Sequence, residues 1–444
     1  MFQPFATSAH ISKSSPVAAN ANSLCTKHLT SSLGRSQDDT PYIRTGAASP
    51  LELIRMAIQD PAESAFFVVD VDEVVNKLRE WQAHLPRVTP YYAVKCNPDV
   101  AVLQTLAQLG CNFDCASKEE ISNVLALGVS PSRIIYANPC KQPSHLRYSR
   151  NVDVNLTTFD CEDELHKIYK FNPKAELLLR ISVDDSSAVC NLSCKYGALP
   201  SSAEELLTVA KRLGLNVRGV SFHVGSGCKE PSAFVEAVKS ASQVFTEARQ
   251  FGLRMDILDV GGGFPGMDTS ELKFKTIAQR LNGALDSYFP HGCGVRLIAE
   301  PGRFLVSSSH TLAVNVIGRK ASNTTSAPST MYFVNDGVYG SFNCLLYDHA
   351  EVEAKALKMG DGTATSVPDL QASSVWGPTC DGLDCIVPQT KLPQLQVGDW
   401  LYFENMGAYT SAAGSRFNGM ELPGKLYMAS TSAYESDEES LASA

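Results

Sequence analysis

No stretch of this 444-residue sequence approaches the roughly 18 to 20 consecutive apolar residues that a membrane-spanning helix needs. A basic surplus is also missing. Lys and Arg number 38 against 47 Asp and Glu, a net charge of -9, which argues against a nucleic-acid or anionic-membrane partner. Acidic residues are absent before Asp38, from an opening rich in Ser, Ala and Thr. Such a composition cannot bury a core and predicts a disordered segment over residues 1–48. An organelle transit peptide is the second reading, weakened by the scarcity of Arg. The 13 cysteines form no disulfide framework, and the close pairs Cys111/Cys115 and Cys190/Cys194 lack a second Cys or His pair at zinc spacing. They read as reduced thiols of a cytoplasmic protein without a metal site, or of an organelle protein if the opening is a transit peptide. The acidic, Ser-rich end, residues 431–444, is predicted to be a disordered tail.

What is present is a hydrophobic content of 44%, enough for two domains with large cores. Phe66–Asp70 reads as a strand and Val71–Leu85 as a helix, with Val74, Val75, Leu78 and Trp81 at helical spacing. Strand and helix patterns then alternate. Eight strands are predicted: 91–94, 112–115, 134–137, 153–157, 176–181, 219–224, 257–261 and 297–300. That count predicts a closed (β/α)8 barrel within residues 49–309, ahead of an open doubly wound sheet. From residue 310 to 430 the helical period fades, apart from a brief polar stretch at 351–359. Strands at 311–318, 331–335, 397–403 and 426–429 predict an all-β second domain.

In such a barrel the chemistry gathers at the carboxyl ends of the strands. There the sequence places Lys95, Asp114, Arg180, His223 with Ser226, the run Gly261-Gly262-Gly263, and Glu300 with Gly302 and Arg303. Lys95 closes an apolar strand just before Asn97-Pro98, where desolvation is expected to lower its pKa and free a nucleophilic amine. Three glycines can turn backbone N–H groups towards an anion, and Arg303 and Ser226 add donors for phosphate. Glu300 could keep a pyridine nitrogen protonated, and His223 could lie flat on a ring. Each residue has an ordinary structural reading: a snorkelling lysine, a tight turn, a solvated charge, a buried imidazole, an ion pair. Jointly they describe a pyridoxal phosphate site. The β domain adds a thiol beside carboxylates in Trp376–Asp384, a carboxylate in Tyr347-Asp348-His349 and a phenol at Tyr409.

The stretches PYYAVKCN, FDCAS, SFHVGSGC, DVGGGFPG, AEPGRF, NDGVYGSFNCLLYDH, WGPTCDGLD and ENMGAYT run from about Phe66 to Leu422. Together they resemble the eukaryotic ornithine decarboxylase family, in the alanine-racemase-like group of pyridoxal phosphate enzymes. The resemblance implies decarboxylation of L-ornithine to putrescine, the first step of polyamine biosynthesis. It implies a homodimer whose active sites join the barrel of one subunit to the β domain of the other, and an antizyme-type regulatory partner. It assigns Lys95 to the Schiff base, His223 to the ring face and Glu300 to the ring nitrogen. Ser226, Gly263, Gly302, Arg303 and Tyr409 fall to the phosphate, with Asp114 and Arg180 in support. It makes Cys380 the proton donor and gives Asp381 and Asp348 the substrate's distal ammonium. Lys195 and Asp384 would pair across the interface, where Gly407 allows close packing.

A lysine/ornithine bifunctional decarboxylase stays close behind, because one methylene discriminates by only about 1–3 kcal/mol. Diaminopimelate decarboxylase would need a cationic distal anchor where Asp348 and Asp381 stand. Alanine racemase is disfavoured by Glu300. A non-catalytic, decarboxylase-like regulator is the alternative of a different class, and intact Lys95 and Cys380 argue against it.

Overall fold

The computed structural model describes residues 43–44, 49–59, 63–321, 330–357 and 369–429. The expected terminal tails lie outside these residues, except that Ile43–Arg44 pairs in parallel with Tyr427 and Met428.

Eight parallel strands close into a barrel. In chain order they are Val88–Ala93, Asn112–Cys115, Ile134–Tyr136, Leu156–Phe159, Glu176–Arg180, Asn216–Ser221, Ile257–Asp259 and Arg296–Ala299. Side chains alternate between the two faces of a strand, so every second residue points inward. Tyr91, Ile135, Leu156, Leu178, Ile257 and Ile298 meet inside the barrel as one buried cluster. Their neighbours Tyr92, Leu177, Leu179, Leu258 and Leu297 belong instead to the main core, which the surrounding helices share. Counting on by twos from the inner cluster leads to Arg180 from Leu178, Asp259 from Ile257 and Glu300 from Ile298, while Lys95 follows the first strand in a short turn. The same parity that fills the barrel with apolar side chains crowns it with charged ones.

A second, nine-stranded sheet carries the rest of the chain. Its long central strand, His310–Ala321, pairs antiparallel with Trp400–Phe403, Thr330–Val334 and Phe66–Asp70. The strand Phe66–Asp70, which was expected to accompany the barrel, thus lies in this sheet, between His310–Ala321 and Gly424–Met428. Leu370–Trp376 and Cys385–Pro393 extend the sheet beyond Thr330–Val334 and were not predicted. The helical stretch expected at 351–359 is corrected: Lys355–Ala356 is a short strand against Trp400–Phe403, and 351–354 are irregular. No helix among the described residues is long and apolar enough to cross a membrane.

Candidate active site

Lys95 sits in a single 3-10 turn, Val94–Cys96, that follows the first barrel strand. Its Nζ forms an ion pair with Asp114 Oδ2 on the second strand. Asp114 is fully buried, and burial raises its pKa while Lys95 pulls it down. The expectation of a lowered lysine pKa is overturned. Burial does push Lys95 down, but the carboxylates of Asp114 and Glu300 outweigh it, and the net direction is up.

Glu300 follows the eighth strand, its N–H donating to Gly261 O at 2.8 Å. Burial raises its pKa well above the carboxylate range, and the nearby acids Asp259 and Asp114 add to the rise. Asp259, one strand away, was missed by the sequence reading. It is completely buried, its Oδ1 accepts from Gly261 N at 2.9 Å, and burial pushes its pKa up to about 7. Glu300 Oε1, Asp259 Oδ2 and Asp114 Oδ1 are buried and meet no donor group among the described residues. An acidic residue at an inward position of an apolar strand was the signal that could have found Asp259.

His223 lies just beyond the sixth strand. Gly225 N donates to its Nδ1 at 3.0 Å, and burial, Arg180 and Lys95 hold its pKa well below the usual value. The ring is therefore a neutral imidazole. Gly262 makes room for it, since a Cβ there would lie 2.8 Å from His223 Nε2. Gly263 has φ +102°, and a Cβ would come within 2.6 Å of Gly225 O. Arg303 Nη2 donates to Ser226 Oγ at 2.9 Å and to Asp348 Oδ1 at 2.6 Å. The guanidinium also stands 5.1 Å over the ring of Tyr409, whose N–H donates to Cys96 O at 2.9 Å. Arg180 rests 5.4 Å over the ring of Tyr196.

One cavity is lined by Lys95, His223, Ser226, Gly263, Glu300, Gly302, Arg303 and Tyr409. Its chemistry fits pyridoxal phosphate. An amine lies at one side, a carboxyl acceptor without a donor at another, and a glycine, hydroxyl and guanidinium cup completes it.

The remaining predicted residues do not line this cavity. Cys380 is exposed, and its N–H donates to Asn418 Oδ1 at 3.1 Å. Asp381 accepts from the Tyr339 hydroxyl, and that bond with the Leu383 N–H holds its pKa low. Asp348 keeps Oδ2 buried and without a donor while Oδ1 holds Arg303. Lys195 is exposed, 4.9 Å over the Tyr196 ring. Asp384 is buried, and its carboxylate accepts from Val338 N at 2.8 Å, Thr379 N at 2.9 Å and Thr379 Oγ1 at 2.6 Å. Gly407 is squeezed within its own chain: a Cβ would lie 1.7 Å from Val306 O.

Residues 71–307 match the family described as pyridoxal-dependent decarboxylase, pyridoxal binding domain. The chain is 51% identical to rat ornithine decarboxylase over 84% of its length and 82% of the relative's. It is 50% identical to antizyme inhibitor 2 of Xenopus laevis over 83% of its length and 82% of that protein. Among solved structures, the arginine decarboxylase of Paramecium bursaria Chlorella virus superposes with a TM-score of 0.80 at 35% identity, over 85% of this chain and all of that one. Half-identity to proteins of both names means that the site residues carry the functional distinction. The match over residues 71–307 and the half-identity to full-length relatives place this chain, with its closed parallel barrel and pyridoxal-type cavity, in the pyridoxal-dependent decarboxylase family.

Proposed function

We propose that the chain decarboxylates L-ornithine to putrescine and carbon dioxide, as a homodimer in the cytoplasm. The observation that carries this reading is the convergence of the Lys95 amine, the Glu300 carboxyl and the Arg303 cup on one cavity. Identity to the rat enzyme supports ornithine as substrate, and the described cysteines, all free, support a reducing compartment. The relative named antizyme inhibitor 2 supports an antizyme-type partner.

Pyridoxal phosphate, when bound, supplies an aldehyde for amines and a protonated ring that withdraws electrons. The chain supplies the rest. Lys95 would supply the amine for that aldehyde, and Asp114 Oδ2, in contact with its Nζ, would take the proton that the amine must shed. Glu300 would face the ring nitrogen, where its buried Oε1, which meets no donor among the described residues, could accept the ring N–H. Neutral His223 offers a flat face without a competing charge. Arg303, Ser226, Gly263, Gly302 and Tyr409 would hold the phosphate, and Arg180 would balance the inward acids. Asp381 stays ionised at neutral pH and meets the distal ammonium, together with the free Oδ2 of Asp348. Cys380 returns a proton to the substrate Cα. Cys380 and Asp381 reach the cavity of the other subunit, with Lys195 and Asp384 at that contact.

Carbon dioxide release from ornithine and from lysine, measured on purified protein with added cofactor, tests the reading. Turnover of ornithine well above lysine is expected, and Lys95→Ala should abolish it. Comparable rates would make the enzyme bifunctional. Protein that takes up no cofactor and releases no carbon dioxide would instead be a regulator.

A further inference from the structure

Asn97, Ser309 and His310 lie outside the cofactor cavity, yet all three are buried. Asn97 Oδ1 accepts from Asp99 N at 3.0 Å. Its Nδ2 reaches Gly407 O at 2.9 Å and His310 Nε2 at 3.1 Å. An amide nitrogen only donates, so Nε2 accepts and the ring proton is assigned to Nδ1. Nδ1 stands 2.8 Å from Ser309 Oγ, which donates to Val306 O at 2.8 Å. The bonds run in one direction, from the turn after Lys95 to the end of the short helix Arg303–Val306.

Gly407 is wedged against this relay. A Cβ there would lie 1.7 Å from Val306 O and 3.0 Å from His310 Nδ1. Backbone bonds run beside it, from Tyr409 N to Cys96 O and from Met406 N to His310 O, each 2.9 Å. On the far side, Asp99 accepts from Lys425 Nζ at 2.5 Å and Tyr427 OH at 2.9 Å. The relay therefore joins the Lys95 turn, the Arg303 helix and the Tyr409 loop. Apolar packing lets such parts slide, whereas hydrogen bonds with every atom satisfied fix one arrangement.

We propose that Asn97 and His310 are a positioning pair that sets the spacing between the Lys95 amine and the phosphate cup of Arg303 and Tyr409. The inference rests on the roles proposed above for Lys95 and Arg303. Its prediction is that breaking the pair weakens cofactor binding more than it weakens the fold.

The test titrates the apoprotein with pyridoxal phosphate, followed by visible absorbance and by the rate of cofactor release. His310→Leu should lose about tenfold in affinity, the scale of a buried donor left without its acceptor. His310→Gln restores an acceptor oxygen near Nε2 and should stay within about threefold. Leu312→Ala, buried on the same strand, serves as a packing control and should keep its affinity at an equal loss of Tm. Equal affinity losses in His310→Leu and Leu312→Ala would overturn the proposal, as would no rescue by Gln. Should His310→Leu not fold, Ser309→Ala cuts the last link without a large cavity. A loss of about threefold is then expected, and wild-type affinity overturns the proposal. Lys95→Ala separates the two readings. If it loses affinity while the relay variants do not, only the pair is wrong. If it loses none, the assignment of Lys95 fails first.

Discussion

Lys95 holds its proton more firmly than a free lysine because the acids below it outweigh its desolvation. Replacing Asp114 by Asn removes the closest of these charges. The lysine pKa should then fall, and the pH at which apoprotein combines with the cofactor should move towards acid. Rates of appearance of the visible band across pH would show this, and an unchanged profile would dismiss Asp114 as the controlling charge. Asp259 gives a second prediction. Its pKa rises from 3.8 to about 7 on folding, so the folded state binds the proton more tightly. Its contribution to apoprotein stability is complete below pH 4 and lost as pH rises through about 7. Asp259→Asn should therefore flatten the decline in apoprotein Tm between pH 4 and 7. Lys95, Arg180 and Glu300 were legible in the sequence as strand-end residues, and the fold adds that Arg180 and Glu300 sit two residues after an apolar inward position. The same count would have reached Asp259 after Ile257, but the Gly run that follows drew the reading past it. The lysine pKa was misjudged because its partners come from other strands, and desolvation alone was counted.

The loop Gly377–Asp384 is built around one carboxylate rather than around the thiol it presents. Asp384 takes three donors from Val338 and Thr379, and Gly337 and Gly377 crowd it so closely that a Cβ at either would lie about 2 Å from Oδ1. Cutting it to Ala strands buried donors, each worth about 1–3 kcal/mol. Asp384→Ala should lower stability by a few kcal/mol in denaturant unfolding and lower activity through misplaced Cys380. Lys195→Ala, exposed at its own site, should leave the unfolding midpoint of the separated subunit nearly unchanged. Equal losses would mean that the carboxylate serves the lysine alone. At this scale seven barrel strands were readable because both faces are buried and they appear as apolar runs, whereas the strand expected at 153–157 is Leu156–Phe159, where Thr157 and Thr158 interrupt the apolar run. Leu370–Trp376 and Cys385–Pro393 escaped notice for the opposite reason. Their buried positions include Ser373 and Ser374, and Cys385–Pro393 faces solvent through Pro388, Gln389 and Lys391. Phe66–Asp70 was read correctly as a strand, but no local pattern says which sheet a strand joins. That is settled by partners more than 240 residues away, at His310 and beyond.

A single subunit has the cofactor cavity but not the thiol, since Cys380 and Asp381 do not line it. Large apolar side chains stand exposed beside the displaced residues: Leu346 and Tyr347 before Asp348, Leu383 after Asp381, and Phe417 stacked 4.3 Å from Tyr339, which holds Asp381. Exposed apolar groups gathered around unfinished chemistry favour cover by a second copy, whose symmetry would complete both sites at once. The expectation is sharp for mixed subunits. Lys95→Ala and Cys380→Ala should each be nearly inactive alone. Random pairing of equal amounts puts half of the dimers in the mixed form, and each mixed dimer has one site with both groups intact. Activity should therefore return to about one quarter of wild type. Were one chain to supply the whole site, every site in the mixture would lack a group and mixing would restore nothing. Recovery that appears only after the subunits have been separated and reassociated, and that falls on dilution, would tie the restored turnover to the pairing itself.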